Sequence, residues 1–259
     1  MGRRSTENIA KECETSAFYV PPANISTERV LFPAEEEHHI KNVLRLKAGS
    51  LVEVLDGCGG KFGVVLERID SPGLEGRILS AERIEQGPVL ISVALALGRK
   101  ERMRIAVEKL AELGCHRIVP LWTDYVSFAG AAQKQIEKLR LICRSALKQS
   151  RTLFLTRIDE PLTFAQILAL ADCGRLRLVF CRKNREGKKS ESPRPIDPGK
   201  EHLLVVGPEG GFSPREESLI QGSSLLCIHL GDADLRFETA AIAGFVLLRQ
   251  ALAGDLSFY

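Results

Sequence analysis

No apolar run in this chain approaches the ~20 residues that a membrane-spanning helix requires; the longest, residues 89–97 and 240–248, are less than half of that. The chain is therefore not expected to cross a bilayer. Its opening residues are polar and of mixed charge, without the apolar core of a secretory signal. Residues 1–17 read as a frayed tail on a cytoplasmic protein. The seven cysteines are odd in number, scattered and nowhere spaced as CxxC, so neither a disulfide framework nor a zinc site is expected. Five histidines include no HExxH, and no metal is expected. The phosphate loop GxxxxGK[ST] and the dinucleotide loop GxGxxG are both missing as well.

What is present is an ordinary globular balance: 259 residues, 44% hydrophobic and 27% charged, enough for one large domain or two smaller ones. Net charge is only +3, but it is unevenly spread. Residues 86–200 hold 22 basic against 11 acidic side chains, a surplus of +11, while the flanking segments carry −3 and −5. Such a concentration repels itself unless a polyanion such as RNA sits against it. A solvated surface without a partner is the other reading.

Along the chain the pattern changes once. Residues 18–85 alternate short β-like runs (18–20, 29–32, 51–55, 62–69 and 75–84) with turn signals and one helical stretch near 35–46, as in a small β-barrel. Gln86-Gly87-Pro88 marks a boundary, and residues 86–259 then alternate strands and helices. Strands are expected at 89–97, 117–122, 175–181, 202–206 and 225–230. Helices are expected at 101–113, 131–148, from the capping box at Thr163 and Gln166 through residue 170, and at 214–221 and 239–253. This is the α/β class, with a mainly parallel sheet covered by helices on both faces. Residues 182–200, basic and rich in serine and proline, read as a surface loop.

The sharpest segment follows the strand at 202–206. Gly207-Pro208-Glu209-Gly210-Gly211-Phe212 is a glycine-rich turn, and Ser213, Pro214 and Glu216 then specify a helix start as N-cap, N1 and N3. The turn lies at the C-terminal end of a sheet strand, where open α/β folds bind ligands. Its glycines let the backbone approach a flat ligand such as an adenine; a tight turn without a ligand satisfies the same residues. One βα unit later, Leu230-Gly231-Asp232-Ala233-Asp234-Leu235-Arg236-Phe237-Glu238-Thr239-Ala240 again passes from strand through loop to an apolar helix. Arg236, Glu238 and Thr239 border a core there, and a local ion pair with Thr239 as a cap is the plainer account.

Together these two segments resemble the GPEGGF and LG…LR-x-ETA signature of the RsmE family of SPOUT methyltransferases. Further likeness lies in Glu108–Gly114 (EKLAELG), in Ala146-Leu147-Lys148-Gln149-Ser150, and in the segment from His38 to Gly49, which resembles the family's PUA-like barrel motif. Ala233-Asp234, Thr152 and Tyr125-Val126-Ser127 depart from the family pattern. The resemblance spans roughly residues 18–253 and implies a trefoil-knotted domain over residues 86–259 beside a PUA-like barrel over residues 18–85. It implies a homodimer that takes a methyl group from S-adenosyl-L-methionine (SAM), without a metal, to uracil N3 in 16S rRNA of the small ribosomal subunit.

Carried over by position, Gly207, Pro208, Glu209, Gly210, Gly211, Leu230, Gly231, Leu235 and Arg236 would hold SAM, and Arg236, Glu238 and Thr239 would serve the transfer. RNA contacts would come from His39, Arg45, Lys100, Arg102, Gln149 and Arg151, although His39 fits a structural histidine equally well. A related methyltransferase with another RNA target, and a catalytically silent RNA-binding factor on the same scaffold, remain open from the residues alone.

Overall fold

The structure, a computed structural model, describes residues 16–69, 73–87, 89–126, 132–169, 177–180, 201–223, 225–228 and 235–253. Residues 1–15 of the expected tail and the loop at 182–200 lie outside these residues, whereas Ala17, expected in the tail, already opens a strand over Ala17–Tyr19 because it pairs with Glu53. Two compact units form: one takes in the described chain up to Gln86 with Leu147–Phe154, the other Gly87–Ala146 and the chain from Leu155 onward.

The first unit contains β1 (Ala17–Tyr19), β2 (Arg29–Leu31), α1 (Ala34–His38), β3 (Leu51–Leu55), β4 (Gly60–Arg68) and β5 (Glu75–Arg83). Its five-stranded sheet has the order β1-β3-β4-β5-β2. Alternate residues Val52, Val54, Val64 and Leu66 point to a core completed by Phe18, Phe32, Ile40 and Leu74. The β3–β4 hairpin is closed by Asp56, whose Oδ1 accepts from the amides of Cys58 and Gly60, both at 2.7 Å. The expected helix at 35–46 is shorter and irregular, because α1 passes into a π-helical turn over His39–Val43 in which the Leu44 amide bonds the His39 carbonyl. Lys148 reaches the carboxylate of Glu36 at 2.7 Å, and the Gly59 amide bonds the Leu153 carbonyl at 2.9 Å. These contacts tie Leu147–Phe154 into this unit.

The second unit runs β6 (Leu90–Ala96), α2 (Lys100–Glu112), β7 (Arg117–Trp122), α3 (Ala132–Ser150, up to Ala146), β8 (Arg157–Ile158), β9 (Leu162–Thr163), α4 (Phe164–Ala169), β10 (Arg177–Phe180), β11 (Glu201–Val206), α5 (Pro214–Gln221), β12 (Leu226–Ile228) and α6 (Phe237–Ala253). The strand order is β12-β10-β11-β6-β7-β8, with β9 also on β7, and every described pairing is parallel. Parallel pairing follows from the βα alternation, since each crossover must return the chain to the same edge. Val93, Leu95, Ile118, Leu204 and Val206 face one core. α2 adds Met103, Ala106, Val107 and Leu110 to it, α3 adds Ile136, Leu139 and Cys143, and α6 adds Phe237, Ala241 and Phe245. Ala94, Val119, Leu121 and Val205 face the other core with Phe164, Ile167 and Ile220 of α4 and α5. Helices therefore cover both faces, as the sequence pattern implies.

At the N-terminal edge of this sheet, Arg117 joins Glu201 at 2.6 Å, Asp159 at 3.2 Å and the Ser92 hydroxyl at 3.2 Å, which laces four strands together. Cys227 in β12 is disulfide-bonded, a correction to the expectation drawn from cysteine spacing. Spacing along the chain does not show which thiols a sheet brings together.

Candidate functional site

The C-terminal edge of the same sheet carries the chemistry-bearing residues. β11, buried over Leu204, Val205 and Val206, delivers Gly207 to that edge. The turn then closes through the Gly211 amide on the Pro208 carbonyl at 2.9 Å, with Gly211 at φ +80°. That φ is left-handed, a region in which a side chain would be strained. At Gly207 the need is different: a Cβ would lie 2.7 Å from the Phe212 ring. Phe212 in turn packs on Phe164, with ring centroids 5.2 Å apart, so the far end of the loop is pinned to the core.

Beyond Phe212 the capping box forms as its spacing specifies. Ser213 Oγ accepts from the Glu216 amide at 3.2 Å, and the Ser213 amide donates to Glu216 Oε2 at 2.9 Å. Sequence reading missed the third partner, Asp124, at the end of β7. Its amide donates to Glu216 Oε1 at 3.0 Å, and its Oδ2 accepts from Ser213 Oγ at 2.5 Å. The Glu216 carboxylate, 2% exposed, is thus fully used in joining the end of β7 to the start of α5. No local periodicity links positions 124 and 216, so only the capping half was visible beforehand.

Glu209 stands exposed on the turn, with Oε1 2.8 Å from Arg102 and Oε2 3.7 Å from Arg99. Arg99, the residue before α2, and Arg102 in the first turn of α2 enter from beyond β6, the neighbouring strand. Among the described residues nothing lies within 4 Å of where a Cβ would be at Gly210 and Gly211, so the loop presents open backbone.

Leu235 and Arg236 are exposed at the entry to α6, and the Arg236 carbonyl accepts the first helical bond, from the Ala240 amide at 2.8 Å. The helix therefore starts at Phe237, two residues before the expected position, and Thr239 lies inside its first turn, exposed. Glu238 Oε2 is buried and has no hydrogen-bond partner among the described residues. The same holds for Thr123 Oγ1 at the end of β7 and for the Gln135 side-chain amide in the first turn of α3. A buried polar atom left unpaired costs roughly 1–3 kcal/mol. All three belong to the ends of elements on this edge. Leu230, Gly231 and Ala233-Asp234 lie outside the described residues.

The remaining expected RNA contacts divide between the units. In the first, Arg45 and Arg151 are exposed and adopt left-handed φ values of 52° and 55°. Gln149 is also exposed, and His39 is half-buried with its ring edge-on to Phe18, centroids 6.1 Å apart. That packing is what a structural histidine requires. In the second, Lys100 opens α2 exposed, while Arg102 is turned to Glu209.

The chemistry of these groups suits a nucleoside cofactor such as SAM: a glycine loop with open backbone lies at a parallel sheet's ligand-binding edge, and that edge also carries buried polar atoms without partners among the described residues. Among the described residues no cluster of metal-ligating side chains exists and no helix is long and apolar enough to cross a membrane.

Comparison with known proteins agrees with this geometry. The model for the RNA methyltransferase domain matches residues 85–249, and that for the RNA methyltransferase PUA domain matches residues 32–79. Ribosomal RNA small subunit methyltransferase E of Rickettsia conorii is 27% identical over 82% of this chain and 85% of its own length. The protein of the same name from Bacillus subtilis is 25% identical over 85% and 91%. Among solved structures, a Legionella pneumophila methyltransferase in complex with bound SAM superposes with a TM-score of 0.81 at 27% identity, covering 92% of this chain and 98% of that one. Ribosomal RNA small subunit methyltransferase E of Neisseria gonorrhoeae, bound to SAM, gives 0.78 at 25% identity with the same coverage. With the domain model spanning well over half of its length, the chain belongs to the RNA methyltransferase family, among relatives of the RsmE type.

Proposed function

We propose that this protein transfers a methyl group from SAM to N3 of a uridine in 16S rRNA of the small ribosomal subunit, as a cytoplasmic homodimer with a trefoil-knotted catalytic domain and a PUA-like barrel. The observation that carries the reading is the open glycine loop at the end of β11 on the same sheet edge as a buried carboxylate oxygen at the start of α6 that has no partner among the described residues. Gly207, Pro208, Gly210 and Gly211 would hold SAM, with Leu230, Gly231 and Leu235 contributing. Bound SAM supplies a sulfonium-borne methyl group, an electrophile that a ring nitrogen can attack in line, so orientation is the main demand on the protein.

Uracil N3 carries a proton, and its loss places negative charge on the flanking carbonyl oxygens. Arg236 is an exposed guanidinium at the positive end of the α6 dipole, suited to stabilise that charge. Glu238 Oε2 is a buried acceptor without a donor among the described residues, suited to assist removal of the N3 proton. Thr239 fixes the first turn of α6. Lys100 and the exposed Arg45, Gln149 and Arg151 would meet rRNA phosphates and sugars. Val246 and Leu247 on α6, 37% and 50% exposed, support a subunit contact on that helix.

Replacing Arg236 by Ala tests the assignment. Methyl transfer to small-subunit rRNA should fall by at least about a hundredfold, the scale of removing a preorganised donor, while SAM affinity measured by calorimetry stays within a few fold. Turnover retained by the variant contradicts the assignment.

A further inference from the structure

We infer that Glu209 and Arg102 are a positioning pair that sets the cofactor loop on α2, so that Glu209 is not a SAM ligand and Arg102 is not an RNA contact. The inference rests on the SAM-dependent reading above and deepens it. Both oxygens of Glu209 face guanidinium groups, Arg102 at 2.8 Å and Arg99 at 3.7 Å. The two arginines are unequal: the Arg102 side chain is 28% exposed and the Arg99 side chain 75%. The short, better-buried pair is the ordered one, and Arg99 is an outlying charge beside it.

The loop needs such an anchor. Its C-terminal end is pinned by Phe212 on Phe164, and the start of α5 is fixed by Ser213, Glu216 and Asp124. Between Pro208 and Phe212, however, Glu209 is the sole residue with a side chain, because Gly210 and Gly211 follow. Two consecutive glycines carry large backbone freedom, and a charge-assisted bond at Glu209 removes it before a ligand arrives. The anchor point is rigid, since α2 buries Met103, Ala106, Val107 and Leu110 completely. α6 packs against the same helix. α2 thereby serves as the common reference for the loop that would hold the methyl donor and for the helix whose first turn carries Arg236 and Glu238.

The test compares SAM affinity by calorimetry, affinity for a small-subunit rRNA fragment at fixed salt, and Tm for the wild type, R102A, R102K, E209Q, R99A and R102A/E209Q. R102A and E209Q should each weaken SAM binding about tenfold, and the double variant should be no weaker than the worse single one, since one removes the donor and the other the acceptor's charge of a single charge-assisted bond. R102K should recover most of the loss, because a single N–H donor suffices at this site. R99A should change SAM affinity by less than about threefold. Affinity for rRNA and Tm should hardly move in any of them, which separates positioning from a general structural role. A loss with E209Q but not with R102A would make Glu209 a direct ligand and overturn the inference, as would R102A weakening rRNA binding while leaving SAM untouched. Absence of SAM binding by the wild type would instead overturn the functional reading on which the inference stands.

Discussion

Single residues show most sharply how composition and environment part company. Gly207 was read as a place where backbone comes close to a ligand, yet the atoms nearest its missing Cβ belong to the Phe212 ring. Within the loop only Gly210 and Gly211 face open space among the described residues, so the glycines of one motif divide between packing and open backbone. Glu238 is the converse case. Its position in the motif was visible, but that one oxygen is buried without a donor among the described residues is a property of packing alone. The cysteines also diverge by environment. Burial pushes the Cys143 thiol up to about 12 and drives that of Cys115 higher still, while Cys58 is exposed. Because the thiolate is the reactive form, iodoacetamide at pH 8 should alkylate Cys58 and spare Cys115 and Cys143 until urea is added, as read by peptide mass spectrometry. Labelling of all three at one rate in the native protein would contradict the described core.

At the level of elements, legibility followed length and periodicity. α2, α3 and α6 bury residues at helical spacing and were placed to within about two residues of their observed ends. β7 and α5 match the expected bounds, because both are closed by strong signals, a βα turn on one side and a capping box on the other. β8 and β9 are two residues each, too short to carry any alternation, and were not seen. The π-helical turn after α1 was likewise invisible, since an i→i+5 bond leaves no composition mark. The α5 start is the element most exposed to a single change. Ser213→Ala removes the N-cap, worth about 1 kcal/mol, and also leaves Asp124 Oδ2 without its donor. A loss of roughly 2 kcal/mol is expected in urea denaturation, with Ser213→Thr retaining most of the stability. An unchanged midpoint would show that the Asp124–Ser213–Glu216 junction contributes nothing.

For the whole molecule, the change of pattern near residue 86 was readable because turn residues and periodicity shift together there. That Leu147–Phe154 folds with the first unit was not, since it depends on the Lys148–Glu36 ion pair and the Gly59–Leu153 bond, partners about a hundred residues apart. The parallel sheet with helices on both faces was legible from βα alternation, but the buried polar atoms left without partners among the described residues at its C-terminal edge required coordinates. Those atoms, together with the family membership, support the central claim of methyl transfer to small-subunit rRNA. The most direct measurement incubates the protein with methyl-labelled SAM and small ribosomal subunits lacking the modification, digests the RNA and maps the labelled nucleoside. The account expects label in 16S rRNA as N3-methyluridine at one position. No transfer at all, or label confined to another base or another RNA, would contradict it.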